Sequence, residues 1–414
     1  MNQENVEVLI IGAGPSGSVA ASYLHNSGFK VKVVEKSIFP RFVIGESLLP
    51  RCMDHFEEVD LLQPLKDFGF EIKSGARFMR GEEICNFDFG KKHGDGWDWT
   101  WQVPRADFDS VLTDTLIERG VDIVFDHAVI DVNIEKEKSI ITIEDSKGNT
   151  SKITAKFIID SSGYGRVLPR LLDLEKPSPL PKHSSIFAHV NDKNRPEGEE
   201  GTLITFDVLS QETWLWVIPF SNGHTSIGLV GPTEYLESFT GSNEEKIKQI
   251  IKLSKYYKNR FEDVSFDFEP KMIKNYSKSV KQIYGKGYAL TGNSAEFLDP
   301  VFSSGVTFAT ESALLAAKLA AKELRGNQVD WEKEYYDYIK QGVAVFATYV
   351  KEWYTGNLQK IFFHRPENPE IKKQICAVLA GYVWDQTNPF VKNHNRLVKT
   401  VAKVIDMETA EQKA

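Results

Sequence analysis

The residues from Val6 to Lys36 constrain this chain more than any other stretch. An apolar, β-branched run over residues 6–11 is short enough for a buried parallel strand. It leads into Gly12-Ala13-Gly14-Pro15-Ser16-Gly17, a G-x-G-x-x-G that opens a helical segment. A second strand-like run ends at Glu35, about 20 residues after the glycines. This order predicts a dinucleotide-binding βαβ unit; the alternative is a glycine-rich turn in another kind of βαβ unit.

Each position in this motif has a physical reason. The first glycine allows a tight turn, the second lets the backbone approach a pyrophosphate, and the third lets the helix pack closely on the sheet. Unpaired N–H groups at the helix start attract phosphate, and the acid after the second strand can accept from ribose hydroxyls. We therefore predict these cofactor-binding residues: Gly12, Gly14, Pro15, Ser16, Gly17, Glu35 and Lys36.

Composition excludes several classes of function. A length of 414 residues suits about two domains, and a net charge of −8 argues against nucleic acid as a partner. The three cysteines, Cys52, Cys85 and Cys376, lie far apart, so we expect neither a metal site nor a disulfide framework. Acidic residues precede the first apolar run, where a signal peptide would be basic, and no run is long enough to span a membrane. The expected location is cytoplasmic.

The strand-like segments that suit a cofactor domain are scattered along the chain, near residues 6, 30, 120, 157 and 287, with alternating antiparallel segments between them. This predicts an α/β chain with a Rossmann-type FAD/NAD(P)-binding fold, an inserted antiparallel β-sheet substrate domain and C-terminal helices. The predicted discontinuous domains are a cofactor domain over 1–68, 104–183 and 281–330, a sheet domain over 69–103 and 184–280, and a helical segment over 331–414.

Two further motifs accompany the glycine-rich turn. They are Asp160-x-x-Gly163 and Gly292-x-x-x-x-x-x-Asp299-Pro300, and the three together resemble the FAD-dependent monooxygenase superfamily of the hydroxybenzoate-hydroxylase type over residues 5–325. The resemblance implies FAD as cofactor, with Asp160, Gly163, Gly292, Asn293 and Pro300 near it. The family usually has Asp where this chain has Asn293, and an amide can still donate or accept there. No second G-x-G-x-x-G is present for a nicotinamide.

The segment Trp214-Leu215-Trp216-Val217-Ile218-Pro219 matches the W-x-W-x-I-P motif of the flavin-dependent halogenases, a branch of this superfamily. On a strand, Trp214 and Trp216 project from the same face. The resemblance implies that they keep organic substrate away from the flavin. The alternative is a strand with an aromatic core face.

A second halogenase-like segment is Phe297-Leu298-Asp299-Pro300-Val301-Phe302-Ser303-Ser304-Gly305, which fits the family's F-x-x-P-x-x-S-x-G. It immediately precedes a predicted helix, whose unpaired N–H groups can hold an anion. The resemblance implies that Ser304 and Gly305 bind chloride or bromide, with Gly305 and Val306 beside the flavin. The alternative is an ordinary serine N-cap.

Lys73, in Gly69-Phe70-x-x-Lys73-x-Gly75, resembles the catalytic lysine of the phenol- and pyrrole-type halogenases. It follows the loop Gly45-Glu46-Ser47-Leu48-Leu49-Pro50, which passes over the cofactor in flavin monooxygenases. In this family reduced FAD and O₂ form a C4a-hydroperoxide that turns halide into hypohalous acid, which reaches a separate substrate pocket. The lysine hydrogen-bonds this acid or is itself halogenated to a chloramine. The alternative is a solvated surface lysine.

Three further residues are predicted to contact the cofactor. Arg105, in Gln102-Val103-Pro104-Arg105, resembles the arginine that reaches FAD in this superfamily, although a surface arginine at a helix start is the alternative. Arg41 is a similar candidate, and Ser47 lies in the loop over the cofactor.

The resemblance leads to one interpretation: a two-component FADH₂-dependent halogenase whose FAD is reduced by a separate NAD(P)H:flavin reductase. Phe302 stands where tryptophan halogenases have Glu, so we expect an electron-rich, phenol-like aromatic substrate, free or attached to an acyl carrier protein. The aromatic-rich tail can line a flat apolar pocket for it, although residues at helical spacing are more often core. The alternatives are an FAD-dependent monooxygenase, a geranylgeranyl-reductase-like flavin oxidoreductase and a non-catalytic flavoprotein.

Overall fold

The computed structural model describes residues 3–135, 137–364 and 369–411. Its strands, in chain order, are β1 Gln3–Ile11, β2 Val31–Val34, β3 Glu71–Lys73, β4 Gly75–Arg80, β5 Glu83–Asp88, β6 Thr100–Gln102, β7 Asp122–Val124, β8 His127–Ile134, β9 Ser139–Asp145, β10 Thr150–Asp160, β11 Glu175–Lys176, β12 His183–Asn191, β13 Thr205–Ser210, β14 Thr213–Pro219, β15 His224–Pro232, β16 Lys271–Ile273, β17 Ser279–Val280, β18 Tyr284–Gly285 and β19 Tyr288–Leu290.

The helices alternate with these strands in the first part of the chain and dominate its end. They are α1 Pro15–Asn26, α2 Arg51–Glu58, α3 Leu62–Phe68, α4 Arg105–Glu118, α5 Val167–Leu171, α6 Glu199–Thr202, α7 Thr233–Glu237, α8 Asn243–Ile251, α9 Gly305–Leu324, α10 Tyr338–Tyr354, α11 Asn357–Phe363, α12 Pro369–Leu379, α13 Pro389–Lys392 and α14 His394–Glu411.

The first sheet brings together the scattered apolar segments. Its strand order is β18-β19-β10-β1-β2-β7, and β1 pairs in parallel with both β10 and β2. Helices α1 and α9 pack against each other and against this sheet, so the central residues of β1, Val8 to Ile10, are fully buried. Burial on both faces explains why this strand is apolar throughout rather than alternating.

The turn between β1 and α1 is held in one conformation by its glycines. Gly12 has φ of +99°, and a Cβ there would lie 2.6 Å from the Ser161 carbonyl oxygen. A Cβ on Gly17 would lie 1.9 Å from the Gly12 carbonyl oxygen. The first turn of α1 therefore sits directly against the end of β1, with its N-terminus at the sheet edge.

The second sheet has the order β16-β12-β15-β14-β13-β4-β5 and is antiparallel except for the β13–β4 pair. Strand β14 alternates as its sequence predicted. Trp214, Trp216 and Ile218 face the core shared with the first sheet, whereas Leu215 and Val217 face a second core closed by α8. One face of this sheet is therefore directed toward the first sheet. The boundaries predicted from the sequence for the cofactor domain, the sheet domain and the helical segment stay a prediction.

The C-terminal helices are bound to the rest of the chain by buried aromatic side chains. Phe346, Tyr349 and Trp353 of α10 are fully buried, and the Phe302 ring packs edge-to-face on the last two. This helical spacing puts the aromatic face into the core. Within the described residues, no helix combines the length and apolar character needed to cross a membrane.

The first prediction concerns Gly17. We expect Gly17→Ala to lower the melting temperature by several degrees, because a Cβ at 1.9 Å from a backbone oxygen forces α1 away from β1. Gly14→Ala is the matched control, since beyond its two chain neighbours the nearest heavy atom lies 3.7 Å from its Cβ position. Calorimetry or circular dichroism measures both; equal melting temperatures would contradict the packing argument.

Candidate active site

A cavity of about 960 Å³ lies between the two sheets. Its floor consists of the residues that follow β1, β2, β10 and β19, and its roof is the aromatic face of the second sheet, including Phe187 and Phe206. The carboxyl ends of parallel strands are where ligands bind in open α/β sheets.

Most of the predicted site residues meet at this cavity. Those that line it are Gly12, Gly14, Pro15, Ser16, Glu35, Lys36, Arg41, Ser47, Arg105, Gly163, Trp214, Trp216, Gly292, Asn293, Pro300, Gly305 and Val306. The predicted residues outside its wall are Gly17, Lys73, Asp160 and Ser304. Gly17 packs α1 on β1, whereas the buried Asp160 carboxylate accepts from the N–H groups of Ser162 and Leu168 and so shapes the loop that contains Gly163.

Two arginines and one carboxylate meet at one end of the cavity. A Cβ on Gly14 would lie 3.7 Å from Arg41 Nη2, 3.8 Å from Arg105 Nη2 and 3.8 Å from Asp109 Oδ2. The buried carboxylate of Asp109 holds both guanidinium groups, accepting from Arg105 Nε at 2.8 Å and from Arg41 Nη1 at 2.9 Å. Asp109 was not among the predicted site residues, although its position four residues after Arg105 on α4 is the spacing of a helical ion pair.

Glu35 lies at the end of β2, next to the glycine-rich turn. Its carboxylate accepts from the Ala13 N–H at 2.9 Å and from the Ser37 N–H at 2.9 Å. The side chain is nearly buried but lines the cavity, and its Oε1 also lies 3.8 Å from Arg41 Nε. An acid at the end of the second strand is the residue type that accepts from ribose hydroxyls.

A cluster of hydroxyl groups lies beneath the turn. Ser16 Oγ is 3.0 Å from Ser161 Oγ and 2.7 Å from Thr291 Oγ1, and Ser161 and Thr291 are 2.8 Å apart. These three residues follow or lie beside three different strands. The sequence analysis missed Ser161 and Thr291, because no local pattern shows that segments so distant in the chain meet.

The start of α9 forms another part of the wall. Ser303 has φ of +56°, which turns the chain so that Gly305 and Val306 face the cavity. The Ser304 side chain makes no capping hydrogen bond, so the serine N-cap alternative does not describe this helix start. The N–H groups of the first turn are left for an anion.

Lys73 is buried behind Ser47, which lines the cavity. Its side chain is 2% exposed, and Nζ donates to Ser47 Oγ and to the Leu48 carbonyl oxygen, both at 2.8 Å. The ring of Phe89 lies 5.5 Å from Nζ. Burial lowers the pKa of Lys73 to about 7, since a charged amine is disfavoured away from water. The solvated-lysine alternative is therefore wrong.

The roof is aromatic and fixed. Trp214 Nε1 donates to Tyr354 Oη at 3.2 Å, and Trp216 Nε1 donates to Ser226 Oγ at 3.1 Å. Both indoles line the cavity and also pack in the core. The tail aromatics Phe346, Tyr349, Trp353, Tyr354 and Trp384 do not line the cavity. Helical spacing and core packing account for these residues, and their role in a separate substrate pocket stays a prediction.

The site has three chemical parts. The first is the pair of arginines, Arg41 and Arg105, beside the N-terminus of α1, together with Glu35. The second is the start of α9, whose first-turn N–H groups can hold an anion, and the third is the buried amine of Lys73 with its lowered pKa. The room at Gly14 and the two guanidinium groups fit the pyrophosphate of a dinucleotide. The aromatic side chains of Trp214 and Trp216 in the wall suit contact with a ring system.

Comparison with known proteins agrees with this geometry. The FAD binding domain family model matches residues 5–345. The chain is similar to a 1H-pyrrole-2-carbonyl-(peptidyl-carrier protein) chlorinase from Pseudomonas fluorescens, with 27% identity over 93% of this chain and 91% of the relative. It is also similar to a tryptophan 2-halogenase from Chondromyces crocatus, with 29% identity over 86% of this chain and 69% of the relative.

A solved structure extends the likeness to almost the whole chain. The flavoprotein/dehydrogenase from Cytophaga hutchinsonii is 50% identical, has a TM-score of 0.96 and covers 98% of this chain and 100% of its own. Together these findings confirm the predicted fold class, FAD as the cofactor and the resemblance to flavin-dependent halogenases within the FAD-dependent superfamily.

The second prediction concerns Gly14. We expect Gly14→Val to abolish FAD binding while the protein stays folded, because the branched side chain would occupy the space between the two arginines where the pyrophosphate fits. Flavin absorbance of the purified protein and equilibrium titration with FAD measure this. Undiminished FAD affinity of the Gly14→Val protein would contradict this prediction. Tight NADP⁺ binding without FAD binding by the parent chain would contradict the choice of FAD as the cofactor.

The third prediction concerns the pH dependence of stability. The pKa of Lys73 is about 7 in the folded chain against a normal 10.5, so between these values the unfolded state binds a proton that the folded state lacks. Stability from this group therefore rises with pH across that window. We expect the melting temperature of Lys73→Met, relative to the parent, to be highest near pH 7 and to fall toward pH 10. Lys91→Met, at an exposed lysine, is the control; a constant difference for Lys73→Met would contradict the lowered pKa.

Proposed function

Because the chain belongs to the FAD binding domain family, we propose that it is a two-component halogenase, which uses reduced FAD, O₂ and chloride or bromide to halogenate an electron-rich aromatic compound. It is an FAD-dependent oxidoreductase related to the flavin-dependent halogenases. The observation that carries the proposal is the position of Lys73, a buried amine one hydrogen bond away from the cavity wall.

The residues of the cavity divide into separate tasks. Arg41, Arg105 and the N-terminus of α1 would hold the FAD pyrophosphate, and Glu35 would hold the adenosine ribose. Bound in its reduced form, FAD supplies with O₂ the oxidising equivalents that convert halide into hypohalous acid. No G-x-G-x-x-G remains for a nicotinamide, so a separate NAD(P)H:flavin reductase would supply FADH₂.

The start of α9 is the proposed halide site. The Gly305 and Val306 backbone faces the cavity, and Ser304 leaves the first-turn N–H groups uncapped by its side chain. Partial positive charge and free donors coincide at a helix N-terminus, which attracts a halide ion. The helix start would therefore hold chloride or bromide on the same side of the cavity as Pro300.

Lys73 is the proposed catalytic residue for halogen transfer. Its pKa of about 7 keeps a large neutral fraction at physiological pH, and a neutral amine has the lone pair that an electrophilic halogen requires. Trp214 and Trp216 form the wall that would keep the organic substrate from the oxidant, so that halogenation and not hydroxylation results.

The proposed substrate is a phenol or pyrrole-type ring, free or carried by an acyl carrier protein. Phe302 is packed among Tyr349 and Trp353, so the position offers no carboxylate to direct a weakly activated ring. The pyrrole chlorinase is matched over 91% of its own length and the tryptophan halogenase over 69%. The ring heteroatom of a phenol or pyrrole supplies the activation instead.

A monooxygenase is the second candidate, since Phe187, Phe206 and the indoles of Trp214 and Trp216 leave open space in the same cavity. A substrate seated there would be hydroxylated, and its turnover would be independent of halide. The two candidates therefore differ in one measurable property, the dependence of product on chloride or bromide.

The fourth prediction tests the proposal. The protein is incubated with a flavin reductase, NADH, chloride or bromide, and phenol, a pyrrole or tryptophan, and products are identified by halogen isotope patterns in mass spectrometry. We expect halogenated phenol or pyrrole and little turnover of tryptophan. Lys73→Ala should lower product at least about 100-fold while O₂ still oxidises FADH₂. Lys91→Ala is the control at an exposed lysine.

Four results would contradict the proposal or the role given to Lys73. A hydroxylated product independent of halide would favour the monooxygenase, and failure to oxidise FADH₂ would favour a non-catalytic flavoprotein. Full halogenation by Lys73→Ala would remove the role given to that residue, and loss of FAD from this variant would instead indicate a structural lysine.

A further inference from the structure

Lys73 has no direct contact with the cavity. Its side chain is buried, and it is absent from the residues that line the wall, whereas Ser47 lines it. The Nζ atom lies 2.8 Å from Ser47 Oγ, so a single hydroxyl group separates the amine from the space where the cofactor fits. A reagent in the cavity therefore meets the Ser47 hydroxyl before it reaches the amine.

The hydrogen bonds of this pair leave one donor free. Nζ donates to Ser47 Oγ and to the Leu48 carbonyl oxygen, so a neutral amine uses both of its N–H groups and keeps its lone pair. Ser47 Oγ accepts from Nζ, and within residues 3–135, 137–364 and 369–411 its own O–H has no hydrogen-bond acceptor. A serine hydroxyl on the wall therefore has a proton available to a molecule in the cavity.

The backbone holds this hydroxyl in place. Ser47 forms an isolated antiparallel bridge with Gln102 of β6, and the following Leu48 N–H donates to the Trp101 carbonyl oxygen at 3.1 Å. Strand β6 also pairs with β3, which carries Lys73 opposite Thr100. The serine and the lysine are therefore anchored to the same strand, so their separation is set by the sheet and not by a mobile loop.

We propose that Ser47 is a second catalytic residue, which binds hypohalous acid at the cavity wall and relays a proton between that acid and Lys73. The assignment rests on the halogenase function proposed above. Ser47 would donate to the oxygen of the acid, which places the halogen end next to Nζ.

The transfer balances in atoms and charge. The Nζ lone pair forms the N–X bond as the X–O bond breaks, so the halogen passes from oxygen to nitrogen. The leaving oxygen takes the Ser47 hydroxyl proton and becomes water, while Ser47 Oγ receives the proton that Nζ loses along the existing hydrogen bond. Transfer of X to the aromatic carbon then replaces its hydrogen and restores the amine. The sum is ArH + HOX → ArX + H₂O.

A matched pair of variants separates this role from packing. Ser47→Thr keeps the hydroxyl, and Ser47→Val has the same shape without it. Ser47→Ala gives a smaller second variant in case branching at this position disturbs the fold, and Ser74→Val is the control at an exposed serine beside Lys73. All variants are first compared for FAD content and melting temperature.

The assay follows three quantities in the halogenation mixture: aromatic product, oxidation of FADH₂ by O₂, and hypohalous acid that escapes into solution, trapped by monochlorodimedone. We expect Ser47→Val and Ser47→Ala to lower aromatic product about 100-fold per FADH₂ oxidised and to raise escaped acid in the same proportion to FADH₂ oxidised. Ser47→Thr should stay within a few-fold of the parent. Parent-like product from Ser47→Val and Ser47→Ala, or equal loss from Ser47→Thr, would overturn the proposal.

A second measurement is independent of turnover. The FAD-loaded proteins are treated with dilute hypochlorous acid, without reductant or substrate, and chlorination at Lys73 is quantified by mass spectrometry. We expect labelling in the parent and Ser47→Thr and at least tenfold less in Ser47→Val; equal labelling would overturn the relay. If the parent forms no halogenated product while this labelling difference holds, the proposed function fails and the Ser47–Lys73 reaction stands by itself.

Discussion

The close contact between α1 and β1 is the constraint on which the rest of the structure depends. A side chain at Gly17 would collide with the Gly12 carbonyl oxygen at 1.9 Å, and its absence lets the helix start directly at the edge of the sheet. This contact places the N–H groups of α1 beside Arg41 and Arg105, and it leaves the space at Gly14 open. The cationic end of the cavity is therefore a product of backbone packing as much as of charge.

The burial of Lys73 is the clearest conflict between stability and function in this chain. An amine without a carboxylate partner in the core is unfavourable, and its pKa falls to about 7 for that reason. In the part of the chain that the structure describes, two neutral acceptors, Ser47 Oγ and the Leu48 carbonyl oxygen, hold it in place. An apolar residue would stabilise this position more, and strongly perturbed groups of this kind cluster at functional sites. By contrast, the buried Glu311 has His55 and Arg51 as partners and serves packing.

Residues predicted from local motifs line the cavity where one segment carries both the residue and its structural context. The glycine-rich turn, Glu35 and the start of α9 are of this kind, because each lies where a strand ends or a helix begins. Asp109, Ser161 and Thr291 were missed, since their roles come from neighbours that are distant in the chain. Helical spacing has the same pattern in a core and in a ligand pocket, so the sequence left both open for the tail aromatics, which pack in the core.

By itself the sequence determined the dinucleotide-binding unit, the alternation of β14 and the residues available for chemistry, because these follow from local steric and periodic rules. Only the tertiary structure decided that β1, β10 and β19 lie side by side, which brings three hydroxyl groups from distant segments together. It also decided that Lys73 lies behind Ser47 and not on the cavity wall. The physical reason is that burial and the resulting pKa depend on everything packed around a side chain, and no single segment of the chain contains that information.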